Sequence, residues 1–174
     1  GCTDVIEIAR QDRPSLYDPF VDRPEPLVAR SDRLEVVGRL DATGASLAPI
    51  DADHVPRIPA GVEAVAVCLL HSDLDPSHEE TVAAVLEDRG HDVSRSSAVS
   101  PEFREYERTV TTVINASLRP LCRAYLRSVG DLAEDVVVMT SSGGLLPADV
   151  AADLPAALLL SGPAGGVRAA GRPG

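Results

Sequence analysis

The chain has 174 residues, 44% of them hydrophobic, with 3% aromatic residues and no tryptophan. Its core is therefore built from Val, Leu, Ile and Ala, which favours layered α/β packing over an aromatic-centred sandwich. The net charge is −11 and all 16 basic residues are arginines, a balance that excludes the clustered cationic surface nucleic acid or an anionic membrane requires. No apolar run reaches the roughly 20 residues of a membrane span, and the N-terminus lacks a basic-then-apolar signal layout, so a cytoplasmic protein is expected.

In chain order, Thr3 to Arg10 carries Val5, Ile6 and Ile8 among charged neighbours and reads as the tail of a helix. Pro14, Pro19, Pro24 and Pro26 then deny helix and central strand alike, leaving an extended, ordered loop to Arg30. Arg33 to Leu40 alternates Leu34, Val36 and Leu40 with polar residues, and Asp41-Ala42-Thr43-Gly44 is a turn before Leu47 and Ile50, which predicts a β-hairpin with one wet face. Val62 to Leu70 is almost continuously apolar and predicts a central strand covered on both faces. Pro76-Ser77 opens a helix that runs to Arg89 and is closed by Gly90, so Val62 to Val93 reads as a β-α-β unit.

Ser100-Pro101-Glu102 has the layout of a helix start, with Ser as cap and Pro at the first helical position. The helix that follows would bury a stripe of Val110, Ile114, Leu118, Leu121, Tyr125 and Val129, with a kink near Ala116 imposed by Pro120. Near the end, Val136 to Met139 run into Thr140-Ser141-Ser142-Gly143-Gly144, and Ala156 to Leu160 run into Ser161-Gly162-Pro163-Ala164-Gly165-Gly166-Val167. Both read as buried strands feeding a Ser/Gly loop with a helix after it, the place where α/β proteins hold phosphates and other anions.

Several side-chain clusters invite a functional reading. His71, Asp73, Asp75, His78 and Glu79 gather borderline and hard metal ligands at the end of a buried strand, but no known zinc spacing is matched. Helix capping by Asp75 to Glu79 is the commoner use of such residues, and no metal is expected. Glu102, Arg104, Glu105, Glu107 and Arg108 form either an acid/base cluster or, more commonly, ion pairs on a solvated helix face. Asn115 either satisfies the carbonyl freed by Pro120 or faces a ligand. Ser141 and Ser142 do not form a GxSxG elbow, so a serine nucleophile is not expected. Cys2, Cys68 and Cys122 show no CxxC spacing and read as reduced thiols.

Several blocks in order carry a resemblance: Asp4-Val5-Ile6-Glu7-Ile8 before Arg10-Gln11, Ala66-Val67-Cys68-Leu69-Leu70-His71-Ser72, Glu105-Tyr106-Glu107-Arg108-Thr109, Thr111-Thr112-Val113-Ile114-Asn115, and the two Ser/Gly segments. Together they resemble the hydantoinase A/5-oxoprolinase family over nearly the whole chain. That family includes ATP-dependent hydantoin and 5-oxoproline ring-opening enzymes and related ketone carboxylase subunits. The resemblance implies an α/β fold of the actin-like ATPase, ribonuclease H-like type, incomplete here because the family's two acidic phosphate loops have no counterpart in the sequence. Residues 1–98 would end the N-terminal family region and residues 99–174 begin the main domain. Asp73 and Asp75 depart from the residues usual in relatives at that turn. The resemblance further implies ATP and Mg²⁺ in the intact enzyme, a small cyclic amide substrate, and a hydantoinase B-type subunit or domain as partner. Ser141, Gly143, Gly144, Ser161, Gly162, Gly165 and Gly166 are the residues expected to line the nucleotide cleft, and the catalytic residues are expected outside this segment. The alternatives are a non-catalytic remnant or interaction module, or part of a ketone carboxylase subunit.

Overall fold

The computed structural model describes residues 3–10, 14–130 and 135–171; Cys2 lies outside them. Two compact units divide the chain, Gly1–Val113 and Ile114–Gly174.

In the first unit a single helical turn, α1 (Val5–Ile8), precedes the proline-rich stretch, whose described residues form neither strand nor α-helix before Arg30. The expected hairpin is present but short: β1 (Arg39–Leu40) pairs antiparallel with β2 (Ser46–Ala48). Asp41 builds its turn, because one carboxylate oxygen accepts from the Thr43 amide at 2.8 Å, the Thr43 hydroxyl at 2.7 Å and the Ala45 amide at 3.0 Å. Gly44 supplies the left-handed conformation, φ +87°, that the turn requires.

The β-α-β unit follows the sequence reading. Strand β3 (Ala64–Val67) pairs parallel with β4 (Asp92–Arg95), and helix α2 (Ser77–Asp88) connects them. Asp75 accepts from the Ser77 amide at 2.9 Å and so caps the start of α2. At its end Gly90, at φ +88°, lets the Gly90 amide reach the Glu87 carbonyl and the His91 amide reach the Leu86 carbonyl, the paired bonds of a Schellman stop. The apolar faces of α2 and the two strands meet in one cluster of Val55, Val67, Val82, Ala83, Leu86 and Val93. Each such side chain contributes about 1.5–3 kcal/mol when fully buried. The expected central strand is corrected in one respect: among the described residues β3 has β4 as its single paired neighbour.

Short helix α3 (Ser96–Val99) follows β4, and the expected helix start at Ser100 is overturned. Ser100 is extended, φ −152°, and ends α3, because the residue before a proline is pushed out of the helical region. Helix α4 (Glu105–Gly130) begins five residues later and continues through Pro120. Its portion up to Val113 counts with the first unit and the rest with the second.

In the second unit β5 (Val137–Met139) is the strand expected there, yet its Ser/Gly turn leads into an antiparallel partner, β6 (Leu145–Pro147), and not into a helix. Helix α5 (Ala148–Asp153) comes next. The expected strand at Ala156–Leu160 is absent: Pro155 fixes its own φ and lacks an amide, so residues Pro155–Leu158 form a 3-10 turn. Helix α6 (Ser161–Ala170) starts at Ser161 itself, so Gly162, Gly165 and Gly166 lie within the helix, where a preceding loop was expected. The small core of this unit joins Leu126, Ala151 and Ala152 with Val138, Leu146 and Leu158.

Candidate functional site

Two polar constructions stand out, one in each unit. In the first, the chain leaves β3 and enters a turn in which His71 takes a left-handed conformation, φ +63°. The Leu69 peptide is gripped from both sides: its amide donates to Glu79 at 2.8 Å, and its carbonyl accepts from the Arg108 guanidinium at 3.0 Å. Arg108 also donates to Asp73 at 2.8 Å and to the Glu102 carbonyl. Glu79, fully buried, accepts further bonds from the Ser96 hydroxyl at 2.6 Å and the Ser97 amide at 2.8 Å. Buried polar groups persist only when they are satisfied: Arg108 is paired with Asp73, and Glu79 accepts three hydrogen bonds.

This network corrects the reading of Glu102 to Arg108. Arg108 is 1% exposed and belongs neither to a solvated ion-pair ladder nor to an acid/base cluster, because its charge is committed to Asp73 and two carbonyls. Glu107 does pair in solvent, with Arg10 at 2.8 Å. Its carboxyl is held below the usual range first by a backbone amide and then by Arg10.

The metal candidates disperse to structural tasks. Asp73 is taken by Arg108, and Asp75 caps α2 with its carboxyl lowered first by the Ser77 amide. His78 Nε2 meets the Ser46 hydroxyl at 3.2 Å, and His71 faces the Asp41 carboxylate electrostatically. Among the described residues no three of His, Cys, Asp and Glu are grouped to hold a metal ion. Cys68 keeps some exposed surface, yet its thiol is enclosed: burial, with Glu79 adding to it, pushes it up to about 12 against the pull of Thr112, Thr109 and Arg108. Such a thiol is an inert core group.

In the second unit the Ser/Gly residues come together around the β5–β6 turn. The Thr140 amide donates to the Gly144 carbonyl at 2.9 Å and the Gly143 amide to the Thr140 carbonyl at 3.0 Å, with Gly143 at φ +81°. Ser141 points its amide and its hydroxyl at one acceptor, the Ala157 carbonyl, at 2.8 and 3.1 Å. Arg168 of α6 donates to the Gly143 carbonyl, bringing the helix to the turn.

The three glycines of α6 differ in their surroundings. A Cβ on Gly165 would stand 3.1 Å from Met139 Sδ, so Gly165 sets the close approach of α6 to β5. A Cβ on Gly162 or Gly166 would meet nothing within 4 Å, and both residues are exposed. Packing inside the chain therefore does not account for them, although each glycine in a helix costs about 0.5–1 kcal/mol relative to alanine. The first turn of α6 also has no side-chain cap; Pro163 has no amide to donate, and the Ala164 amide bonds the Leu160 carbonyl.

Asn115 is tied to the chain's own backbone. Its side chain donates to the Asp153 carbonyl and accepts from the Ala156 amide, both at 3.1 Å, fixing the junction of α5 with the 3-10 turn. Sequence reasoning missed this role and that of Arg108. Arg108, Thr112 and Asn115 recur at helical spacing, but such a polar run reads as a solvent face, so the sequence carried no signal for either role.

Comparison with known proteins places the chain in a family. The model of the hydantoinase/oxoprolinase N-terminal region matches residues 1–90, and the hydantoinase/oxoprolinase model matches residues 108–173. The chain belongs to the hydantoinase/oxoprolinase family. An uncharacterized protein of Methanocaldococcus jannaschii is 41% identical over 95% of this chain and 26% of its own length. Caprolactamase subunit alpha of Pseudomonas jessenii is 30% identical over 91% of this chain and 25% of its own length. The crystal structure of ATP-dependent caprolactamase from the same organism superposes with a TM-score of 0.72 at 26% identity, covering 90% of this chain and 26% of that one. Nucleotide-free acetone carboxylase, from a study of ATP-dependent acetone carboxylation, superposes at 0.71 with 27% identity, covering 86% and 23%. This family member thus spans about a quarter of the length of the relatives it matches, and it shares their α/β architecture.

Proposed function

We propose that the chain is part of an ATP-dependent hydrolase that opens cyclic amides of the hydantoin or 5-oxoproline type, with the nucleotide seated against the Ser141–Gly144 turn and the first turns of α6. The carrying observation is the pair of bare glycines, Gly162 and Gly166, on an exposed helix face beside that turn, in a chain whose family relatives include an ATP-dependent caprolactamase. Side-chain-free positions on an exposed face at an uncapped helix start let a ligand approach the backbone closely.

In this reading ATP supplies the phosphoryl group that turns the amide oxygen into a leaving group. The chain's own residues bind and orient: Ser161, Gly162 and Gly166 present backbone to the ligand, Gly165 fixes the distance of α6 from β5, and Ser141, Gly143 and Gly144 shape the facing turn. The described residues offer Mg²⁺ no carboxylate set, so no step is routed through the metal here. The architecture we assign to the longer protein is the actin-like ATPase fold, with nucleotide between two domains, supported by the likeness to two ATP-dependent enzymes. The gap between the two family matches, residues 91–107, supports a division near residue 98 between the N-terminal region and the main domain. A hydantoinase B-type partner is supported by the relative's being a subunit alpha. Among the described residues no helix is long and apolar enough to cross a membrane, and we place the protein in the cytoplasm.

Hydrogen exchange of the longer protein with and without a non-hydrolysable ATP analogue tests the site. Protection of Ser161 to Gly166 and of Ser141 to Gly144 is expected; protection confined to other segments overturns the assignment. The likeness to acetone carboxylase favours a second reading, a ketone carboxylase subunit, which an absolute bicarbonate requirement for ATP turnover would select.

A further inference from the structure

The geometry points to Asn115 as the positioning residue of the Ser141–Gly144 turn, a role that rests on the nucleotide reading of that turn. Asn115 is fully buried, and no apolar packing requirement calls for an amide there. Its two hydrogen bonds are to main-chain groups on either side of one junction, the Asp153 carbonyl that closes α5 and the Ala156 amide within the 3-10 turn. A buried amide that satisfies one donor and one acceptor fixes both the position and the orientation of that segment.

The segment it fixes is the one that holds the turn. Ala157, next to Ala156, offers the carbonyl that receives both the Ser141 amide and the Ser141 hydroxyl. Ser141 opens the Ser/Gly turn, Gly143 of the same turn accepts from Arg168, and Arg168 belongs to α6. A continuous set of bonds therefore runs from Asn115 through Ala156 and Ala157 to Ser141, and from the turn to the helix that carries Gly162 and Gly166. Arg119 and Arg123 reinforce its start: at i+4 and i+8 from Asn115 they reach the Asp153 carboxylate at 3.4 and 2.6 Å. Those pairs are partly exposed and hold the side chain of Asp153, whereas Asn115 bonds the main chain that leads to the turn.

The chemistry at stake is the placement of main-chain groups against a nucleotide. A turn displaced by a few tenths of an ångström weakens nucleotide binding before it alters the reacting groups, so loss of Asn115 acts on KM for ATP and spares kcat. A purely structural asparagine would instead lower the fraction of folded protein and leave KM untouched.

Two measurements on one set of variants decide the matter. Asn115→Ala removes both bonds. Asn115→Asp keeps the acceptor toward Ala156 but sets a carboxylate against the Asp153 carbonyl, and it keeps the test readable if the alanine variant does not fold. Hydrogen exchange at the Ser141 amide is expected to accelerate about tenfold in both, because the bond to Ala157 loses its fixed acceptor. KM for ATP, measured on the soluble longer protein, is expected to rise about tenfold with kcat changed less than twofold. Arg123→Gln should leave both quantities within twofold. Unchanged exchange at Ser141 would show that Asn115 does not hold the turn and would overturn the inference whatever the turn binds. Faster exchange with unchanged KM would show that the turn is held by Asn115 but does not serve the nucleotide, which overturns the inference through the reading it rests on.

Discussion

At the scale of single residues, the glycines of α6 separate two explanations that the sequence leaves merged. Gly165 has a packing reason, since a Cβ there would stand 3.1 Å from the Met139 sulfur, while Gly162 and Gly166 face open space. Gly166→Ala should therefore stabilise the chain by about 0.5–1 kcal/mol, through helix propensity, and at the same time weaken ATP binding in the longer protein. Gly165→Val should do the opposite, lowering the melting temperature because the larger side chain overpacks the α6–β5 contact by about 1–3 kcal/mol. Thermal melts and ATP titrations of both variants check the pair; a Gly166→Ala variant with unaltered ATP affinity would leave those glycines without a ligand.

Cys68 gives a second expectation at the same scale, in alkaline solution. Its thiol lies near 9.0 when free and about 12 in the folded chain, so the folded state holds its proton more tightly than the unfolded one. The stabilisation is complete below pH 9. As pH rises from about 9 to 12 the unfolded chain ionises and the folded chain does not, so stability falls through that window by on the order of a few kcal/mol. The chain has no lysine to titrate there, which leaves three tyrosines and the other two thiols as the background. Cys68→Ala should flatten the slope of stability against pH between 9 and 12 in denaturant titrations; an unchanged slope would show that the thiol ionises freely in the folded protein.

At the scale of elements, legibility depended on whether the decisive interactions are local. The β3–α2–β4 unit was readable because its signals sit within a few residues of what they control: the apolar run before His71, Asp75 at the start of α2 and Gly90 at its end. Helix α4 was also readable as a helix, but its buried face was not. The apolar stripe chosen from the sequence included Leu121 and Tyr125, which are 73% and 65% exposed, whereas Arg108, Thr112 and Asn115 are buried. Hydropathy assigns such residues to solvent. The burial of Arg108 and Asn115 is made possible by partners about 35 to 41 positions away, which no local pattern carries. Proline misled twice, at Ser100–Pro101 and at Pro155. Pro101 reads in the sequence as the first position of a helix, and Pro155, just before the apolar run Ala156 to Leu160, carries no weight in that reading; in both places the proline's effect on its own and the preceding backbone ended or replaced the expected element. The seven candidate cleft residues were legible as a group in sequence, but only the structure separates Gly165, tied to Met139, and Ser141, tied to Ala157, from Gly162 and Gly166.

At the scale of the whole molecule, the question is what this chain can do without the remaining three quarters of the length its relatives have. Phosphoryl transfer is achieved by positioning and by neutralising charge on the phosphates, which requires carboxylates to hold a metal and free cations to face the transferred group. Among the described residues no three of His, Cys, Asp and Glu are grouped to hold a metal ion, and three of the acids are tied to other tasks. Glu79 is taken by Leu69, Ser96 and Ser97, Asp73 by Arg108, and Asp153 by Arg119 and Arg123. Arg168, the described cation on α6, is bonded to the Gly143 carbonyl. We therefore expect the 174-residue chain, supplied with excess ATP and Mg²⁺, to release no phosphate above a heat-treated control and to open neither hydantoin nor 5-oxoproline. On the proposed function, the longer protein carrying the same segment should release phosphate and open a cyclic amide. Coupled phosphate detection and chromatography of the ring-opened product read the two activities separately. Turnover by the chain alone would mean that its own acids are redeployed on nucleotide binding, and the structural assignments of Glu79, Asp73 and Asp153 would then have to be abandoned.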